Sequence, residues 1–219
     1  MNHALPELTL LEARILGVLV EKEKTTPDAY PLTLNSLAAG CNQKSSRDPV
    51  MNASDSEIQA SLEELRRRVL VLETYGASGR VLRYAQNFGK CYGLPPASIA
   101  LLTILMLRGA QTVSELRANC ERLYRFDDAS SVEAYLEELA ARSSGALVTR
   151  LAKQAGSREH RWAHLLCGQP SLSAEQGKVR DGDLTSNAAL EDRIARLEQE
   201  VSELRKAISQ IAGNPSGLP

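Results

Sequence analysis

The chain has 219 residues, 43% apolar and 24% charged, enough for one or two domains with real cores, and this composition excludes a disordered chain. A net charge of −1 excludes whole-molecule attraction to nucleic acid or to an anionic membrane, so any such partner has to be met through a local patch. The opening MNHALPELTL lacks a basic segment followed by an apolar core, and the most apolar run, Ile99 to Leu107, is too short to span a bilayer, so a cytoplasmic protein without a membrane partner is expected.

In chain order, Thr9 with Glu12 forms a capping box, and Leu11, Ile15, Val18 and Leu19 make the apolar face of a first helix of about 14 residues. Pro27 and Pro31 end it and set a turn. Thr33 caps a short second helix carrying Leu34, Leu37 and Ala38, which stops near Gly40. After the polar stretch CNQKSSRDPVM, Ser54 with Glu57 opens a third helix whose face is Ile58, Leu62, Leu65 and Val69. VLVLETYGASGRVLRYA then changes period and predicts a β-hairpin with a four-residue loop, Gly76-Ala77-Ser78-Gly79.

The same order recurs. SLEELRRR, Ser61 to Arg68, is echoed by YLEELAAR, Tyr135 to Arg142, which points to a tandem duplication. Pro95 and Pro96 start a helix, ASIALLTILMLRG, apolar nearly all round and so expected to be deeply buried. Thr112 with Glu115 caps the next helix, and Ser130 with Glu133 the one after, whose face is Val132, Leu136 and Leu139. ALVTRLAKQAGSREHRWAHLL gives a second hairpin around Gly156.

Three helices and a hairpin, twice, is the order of two tandem winged-helix domains, residues 1–92 and 93–167, in a mainly α fold with small β-hairpins (α+β). Residues 168–187 are rich in Gly, Ser, Asp and Gln and read as a flexible linker. In residues 188–212, Leu190, Ile194, Leu197, Val201, Leu204, Ile208 and Ile211 follow the heptad spacing of a coiled-coil helix, predicting a homodimer. The other reading of this tail is a single amphipathic helix lying back on the body, since three heptads alone are marginal.

TTPDAYPLTLNSLAAGCNQKSSRDPVM, Thr25 to Met51, taken with the duplicated plan over residues 5 to 166, resembles the YceH family of bacterial proteins. The resemblance implies a tandem winged-helix fold and brings no reaction, ligand or site residues with it.

Function has to be read from charge. A winged helix presents the start of its third helix to the major groove and its wing to phosphate. The first such helix carries Asp55, Glu57, Glu63 and Glu64 ahead of Arg66, Arg67 and Arg68; the second carries Asp127, Asp128, Glu133, Glu137 and Glu138 ahead of Arg142. The hairpins have the opposite sign, with Arg80, Arg83 and Lys90 in the first and Arg142, Arg150, Lys153, Arg158 and Arg161 in the second. Basic wings beside acidic recognition helices fit contact with phosphate backbone better than base reading, although such residues are also common solvated charges. Tyr75, Tyr84 and Trp162 are either base-stacking platforms or hairpin packing.

The connection from Gly40 to Ser54 is about 13 residues, about five longer than its counterpart in the second copy, and far longer than a tight helix-turn-helix turn. It carries Lys44, Ser45, Ser46 and Arg47, a donor set that suits an anion; the competing reading is a loop held by its own side chains.

The expected function is that of a DNA-associated, regulatory protein contacting double-stranded DNA mainly at phosphate, with a protein-interaction scaffold as the alternative. No phosphate loop, metalloprotease helix or nucleophile elbow occurs in the sequence, so an enzyme and a cofactor are not expected. His160, His164 and Cys167 have a loosely metal-like spacing, but on a strand the two histidines lie roughly 13 Å apart, too far to share one ion. The four cysteines, Cys41, Cys91, Cys120 and Cys167, show no CxxC spacing and are read as free thiols.

Overall fold

A computed structural model describes residues 7–75, 79, 81–153 and 159–170. Thr9 caps α1 (Leu10–Thr25) in a full capping box with Glu12, and a 3-10 turn at Pro27–Ala29 follows. Thr33 caps α2 (Leu34–Cys41), accepting from the Ser36 amide, and the Ser54–Glu57 capping box opens α3 (Asp55–Arg67). Each of these starts is where an Ncap oxygen answers the unpaired amides of a first turn.

The end of α3 satisfies its last carbonyls in a Schellman arrangement. The Leu70 amide donates to the Leu65 carbonyl at 2.9 Å and the Val69 amide to the Arg66 carbonyl at 2.9 Å. Val69 thus occupies the left-handed position, φ 59°, where glycine is the usual choice. The reversal feeds β1 (Val71–Tyr75), antiparallel to β2 (Leu82–Gln86), with Val71 opposite Gln86 and Tyr75 opposite Leu82. Among the described residues the ladder ends at Tyr75 and Leu82, and of the expected loop Gly76-Ala77-Ser78-Gly79 all but Gly79 lies outside the described residues.

A short helix not foreseen from the sequence, α4 (Phe88–Tyr92), leads to α5 (Pro96–Arg108), which is buried nearly all round as its composition predicts. Two residues then form β3 (Gln111–Thr112), also unforeseen, and Thr112 caps α6 (Val113–Cys120) in a box with Glu115. The cap of α7 (Ala129–Ala140) is Asp128, not Ser130: its extended backbone lets the carboxylate accept the Ser131 amide at 2.8 Å, while the Ser130 hydroxyl donates to that same carboxylate at 2.7 Å. The last strands, β4 (Val148–Arg150) and β5 (Arg161–His164), join β3 in a three-stranded antiparallel sheet of order β3-β5-β4.

The described fold is therefore α+β, seven helices with two small antiparallel sheets. Its buried side chains form one continuous cluster running from Leu8 and Ile15 through Leu101, Leu102 and Leu105 to Leu136 and Trp162. The two copies meet at α1 and α5. A Cβ placed on Gly17 of α1 would stand 2.9 Å from Leu107 Cδ2 of α5, so the backbone there approaches as closely as only glycine permits. No helix among the described residues is long and apolar enough to cross a membrane. Residues 171–187 of the expected linker and the heptad residues Leu190, Ile194, Leu197, Val201, Leu204, Ile208 and Ile211 lie outside the described residues.

Candidate nucleic-acid interface

The connection between α2 and α3 spans residues 42–54, against residues 121–128 between α6 and α7, so the first copy does carry five extra residues. Two arginines fix their course. Arg14 projects from the middle of α1, 1% exposed, and donates from Nη1 to the Cys41 carbonyl at 3.1 Å and from Nη2 to the Pro49 carbonyl at 2.7 Å. Burial, and secondarily the nearby charge of Arg47, lower its pKa from the ordinary 12.5.

Arg47 lies within the loop and turns inward. Its Nε donates to the Gly40 carbonyl at 3.1 Å, and its guanidinium forks onto Glu21 of α1, Nη1 to Oε1 at 3.2 Å and Nη2 to Oε2 at 2.6 Å. The Asp48 amide donates to the Leu107 carbonyl at the end of α5 at 2.8 Å. Asn42 and Ala53 close the loop mouth through two reciprocal 2.8 Å hydrogen bonds. A bidentate, desolvated arginine–carboxylate pair is structural, so of the four residues expected to form an anion-binding set, Arg47 is withdrawn from solvent. Lys44, Ser45 and Ser46 remain exposed at the loop tip.

The other predicted contacts divide by commitment. Arg66 Nη1 lies 3.3 Å from Glu73 Oε2, Arg67 Nη2 2.8 Å from Glu64 Oε1, and Arg68 Nη2 3.7 Å from the buried Glu12. Arg83 donates to the Pro31 carbonyl at 2.7 Å, and Arg161 Nη2 to Glu115 Oε2 at 3.5 Å. Lys153 is exposed, whereas Arg80 and Arg158 lie outside the described residues. Arg47 and Arg68 are anchored nine residues apart on α1, at Glu21 and Glu12, which is roughly 14 Å along a helix axis. Those two anchors therefore lie towards opposite ends of α1, while Arg14, two residues from Glu12, holds the Cys41 and Pro49 parts of the connection near the Arg68 end. Tyr84 and Trp162 are buried in hairpin packing and unavailable for stacking, while Tyr75 is 68% exposed.

The acidic start of α3 also changes character. Glu57 accepts from the Ser54 amide at 2.8 Å and the Ser54 hydroxyl at 2.7 Å, hydrogen bonds that lower its pKa and turn its carboxylate back over the helix end. The outward stripe at helical spacing is Ser56, Gln59, Ala60 and Glu63, all exposed, with Arg67 one turn beyond. Those small and neutral positions at the leading end cannot be found by counting acids; the capping box is the signal that discounts one of them. On α7 the outward positions are Glu133, Ala134, Glu137 and Glu138, and among the described residues Glu133 has an arginine opposite, Arg150 at 3.9 Å.

In the second hairpin, His160 Nδ1 lies 3.1 Å from the Leu151 carbonyl, and Cys167 Sγ donates to the Thr9 carbonyl at 3.6 Å. Burial depresses the His164 pKa to about 4, and among the described residues its Nδ1 has no hydrogen-bond partner. Among the described residues no group of three or more His, Cys, Asp or Glu side chains is placed to share a metal ion. Burial likewise pushes the Cys41 and Cys120 thiols up to about 12.

Comparison with known proteins gives a family and relatives. Residues 8–157 match the model of a family described as a protein of unknown function, DUF480. A UPF0502 protein of Dechloromonas aromatica (strain RCB) is 52% identical over 206 residues, covering 94% of this chain and 96% of the relative. A UPF0502 protein of Acidovorax sp. (strain JS42) is 53% identical over 209 residues, covering 93% and 92%.

Proposed function

This chain belongs to the DUF480 family of proteins of unknown function, consistent with the YceH-type resemblance of its sequence, and from its geometry we propose that it is a DNA-associated, regulatory tandem winged-helix protein. The observation that carries the reading is the outward stripe of α3. With Glu57 turned back in its capping box, Ser56, Gln59 and Ala60 form a small, uncharged stripe beside the exposed Asp55 and Glu57, and a glutamine there suits adenine.

Phosphate contact falls to side chains that can exchange partners. The Arg67–Glu64 pair is 65% and 43% exposed, and such pairs are worth about 0–1 kcal/mol, so trading Glu64 for a phosphate costs little. Arg66 is in the same position, and Lys44 stands exposed at the loop tip. The first half thus becomes the DNA-facing half. The acidic outer face of α7 repels a duplex, which assigns the second half a supporting role. In this reading the protein is cytoplasmic, and the heptads from Leu190 to Ile211 pair two chains, so that two α3 helices reach one duplex.

Fluorescence anisotropy of the full chain with a random duplex at two salt concentrations tests this. Binding is expected at low salt with a steep salt slope, and replacing both Lys44 and Arg67 by alanine should weaken it at least tenfold. Absence of binding at low salt overturns the reading. The competing function, a protein-interaction scaffold, is favoured by one observation: Leu72, Tyr75 and Val81 stand 43%, 68% and 46% exposed on the first hairpin.

A further inference from the structure

The two copies differ at the junction between their second and third helices. In the first copy the long loop crosses it, closed by the Asn42–Ala53 clamp and seated by Arg14 and Arg47. In the second copy the connection is five residues shorter, and a cleft of about 300 Å³ opens between α6 and the start of α7. Its lining includes Arg117 on α6, Glu121, Arg125 and Phe126 in the connection, and Ala129, the first residue of α7.

Each wall has a definite chemistry. Arg117 spends one Nη2 hydrogen bond on the Asp127 carbonyl, 2.8 Å away, which orients its guanidinium and leaves further N–H groups. Arg125, in the connection, is exposed and also lines the cleft. Phe126 is fixed by ring contacts to Tyr124 at 4.9 Å and Tyr135 at 6.0 Å, so the apolar floor is rigid. The lining itself holds two arginines against Glu121, with the Asp128 carboxylate close enough to feel the charge of Arg117, and the cleft volume is at the lower bound for small-ligand sites, about 300 Å³.

We propose that this cleft binds a small organic carboxylate, its carboxylate forked by Arg117 and Arg125 and its apolar part laid against Phe126 and Ala118. The planar fork of arginine matches a carboxylate, whereas a polyphosphate would meet Glu121 with excess charge. The inference is independent of the DNA reading, because it concerns the second half and a different class of ligand.

Benzoate is a suitable probe, titrated calorimetrically into the full-length protein alongside acetate. Saturable binding of benzoate, tighter than acetate by tenfold or more, is expected. Arg125→Gln should weaken benzoate at least tenfold, and Arg122→Gln, an exposed arginine outside the lining, should not. Ala129→Glu places a carboxylate in the cleft at a position where an acid suits the helix start, so the chain should stay folded by circular dichroism and lose binding. No saturable binding to the wild-type chain overturns the proposal, and so does equal weakening by Arg122→Gln and Arg125→Gln.

Discussion

Arg47 and Glu21 form a buried, two-pronged ion pair that holds an inserted loop against the first helix, with the arginine side chain 0% exposed and a shortest separation of 2.6 Å. Removing one partner strands the other in a low-dielectric site. Arg47→Met should therefore destabilise the protein by about 3 kcal/mol in urea denaturation, and Glu21→Gln by a similar order. The double variant Arg47→Met with Glu21→Met should recover much of the loss, and Lys44→Ala should change stability by less than about 0.5 kcal/mol. A small effect of Arg47→Met would mean that the loop is not seated by this pair.

Val69 holds a left-handed conformation, φ 59°, with 53% of its surface exposed. A β-branched residue there is strained by about 1–2 kcal/mol, and its exposed side chain gives little back. Val69→Gly is expected to raise stability by about 1 kcal/mol, net of the entropy glycine adds to the unfolded chain. A loss of stability would argue against the Schellman reversal at the end of α3.

Gly40 admits α2 against α1 at a point where a Cβ would stand 2.6 Å from Val18 Cγ1. Gly40→Ala should cost about 1–2 kcal/mol through overpacking, although alanine is the better helix former. In a Val18→Ala background the same change should become neutral or stabilising, and a double-mutant cycle measures that reversal.

His164 supplies the pH dependence. Its pKa falls from the ordinary 6.5 to about 4 in the folded chain because burial disfavours the imidazolium. Between those values the unfolded chain binds more protons, so this group's contribution is complete above about pH 6.5 and is lost as pH falls towards 4, up to about 3 kcal/mol in all. Urea midpoints for the wild-type chain and for His164→Leu, compared between about pH 4.5 and 7, should show the wild-type chain losing stability relative to the variant as the pH drops. Parallel curves would show that His164 is not buried neutral.

Much of the fold was legible because it rests on local rules. Thr9 with Glu12, Ser54 with Glu57 and Thr112 with Glu115 satisfy their own first-turn amides within four residues, so the spacing alone locates three helix starts. Ser130 misled because Asp128 offers a stronger acceptor two residues earlier, and only the extended backbone at that position decides between them. The strand β3 could not be read, since two residues become a strand only when Arg161 and Trp162 arrive opposite them.

The functional candidates divide in the same way. Residue types, the recurring order of elements and the extra length of the first connection can be read from the chain alone, because they follow from periodicity and local capping. Tertiary contacts turn Arg47 inward to Glu21 while Lys44 stays outside. The same level of structure leaves a cleft lined by Arg117 and Arg125 at the shorter second connection. A charge in a sequence has a sign but no direction; whether it faces solvent or a buried partner depends on contacts between residues such as Glu21 and Arg47, 26 positions apart.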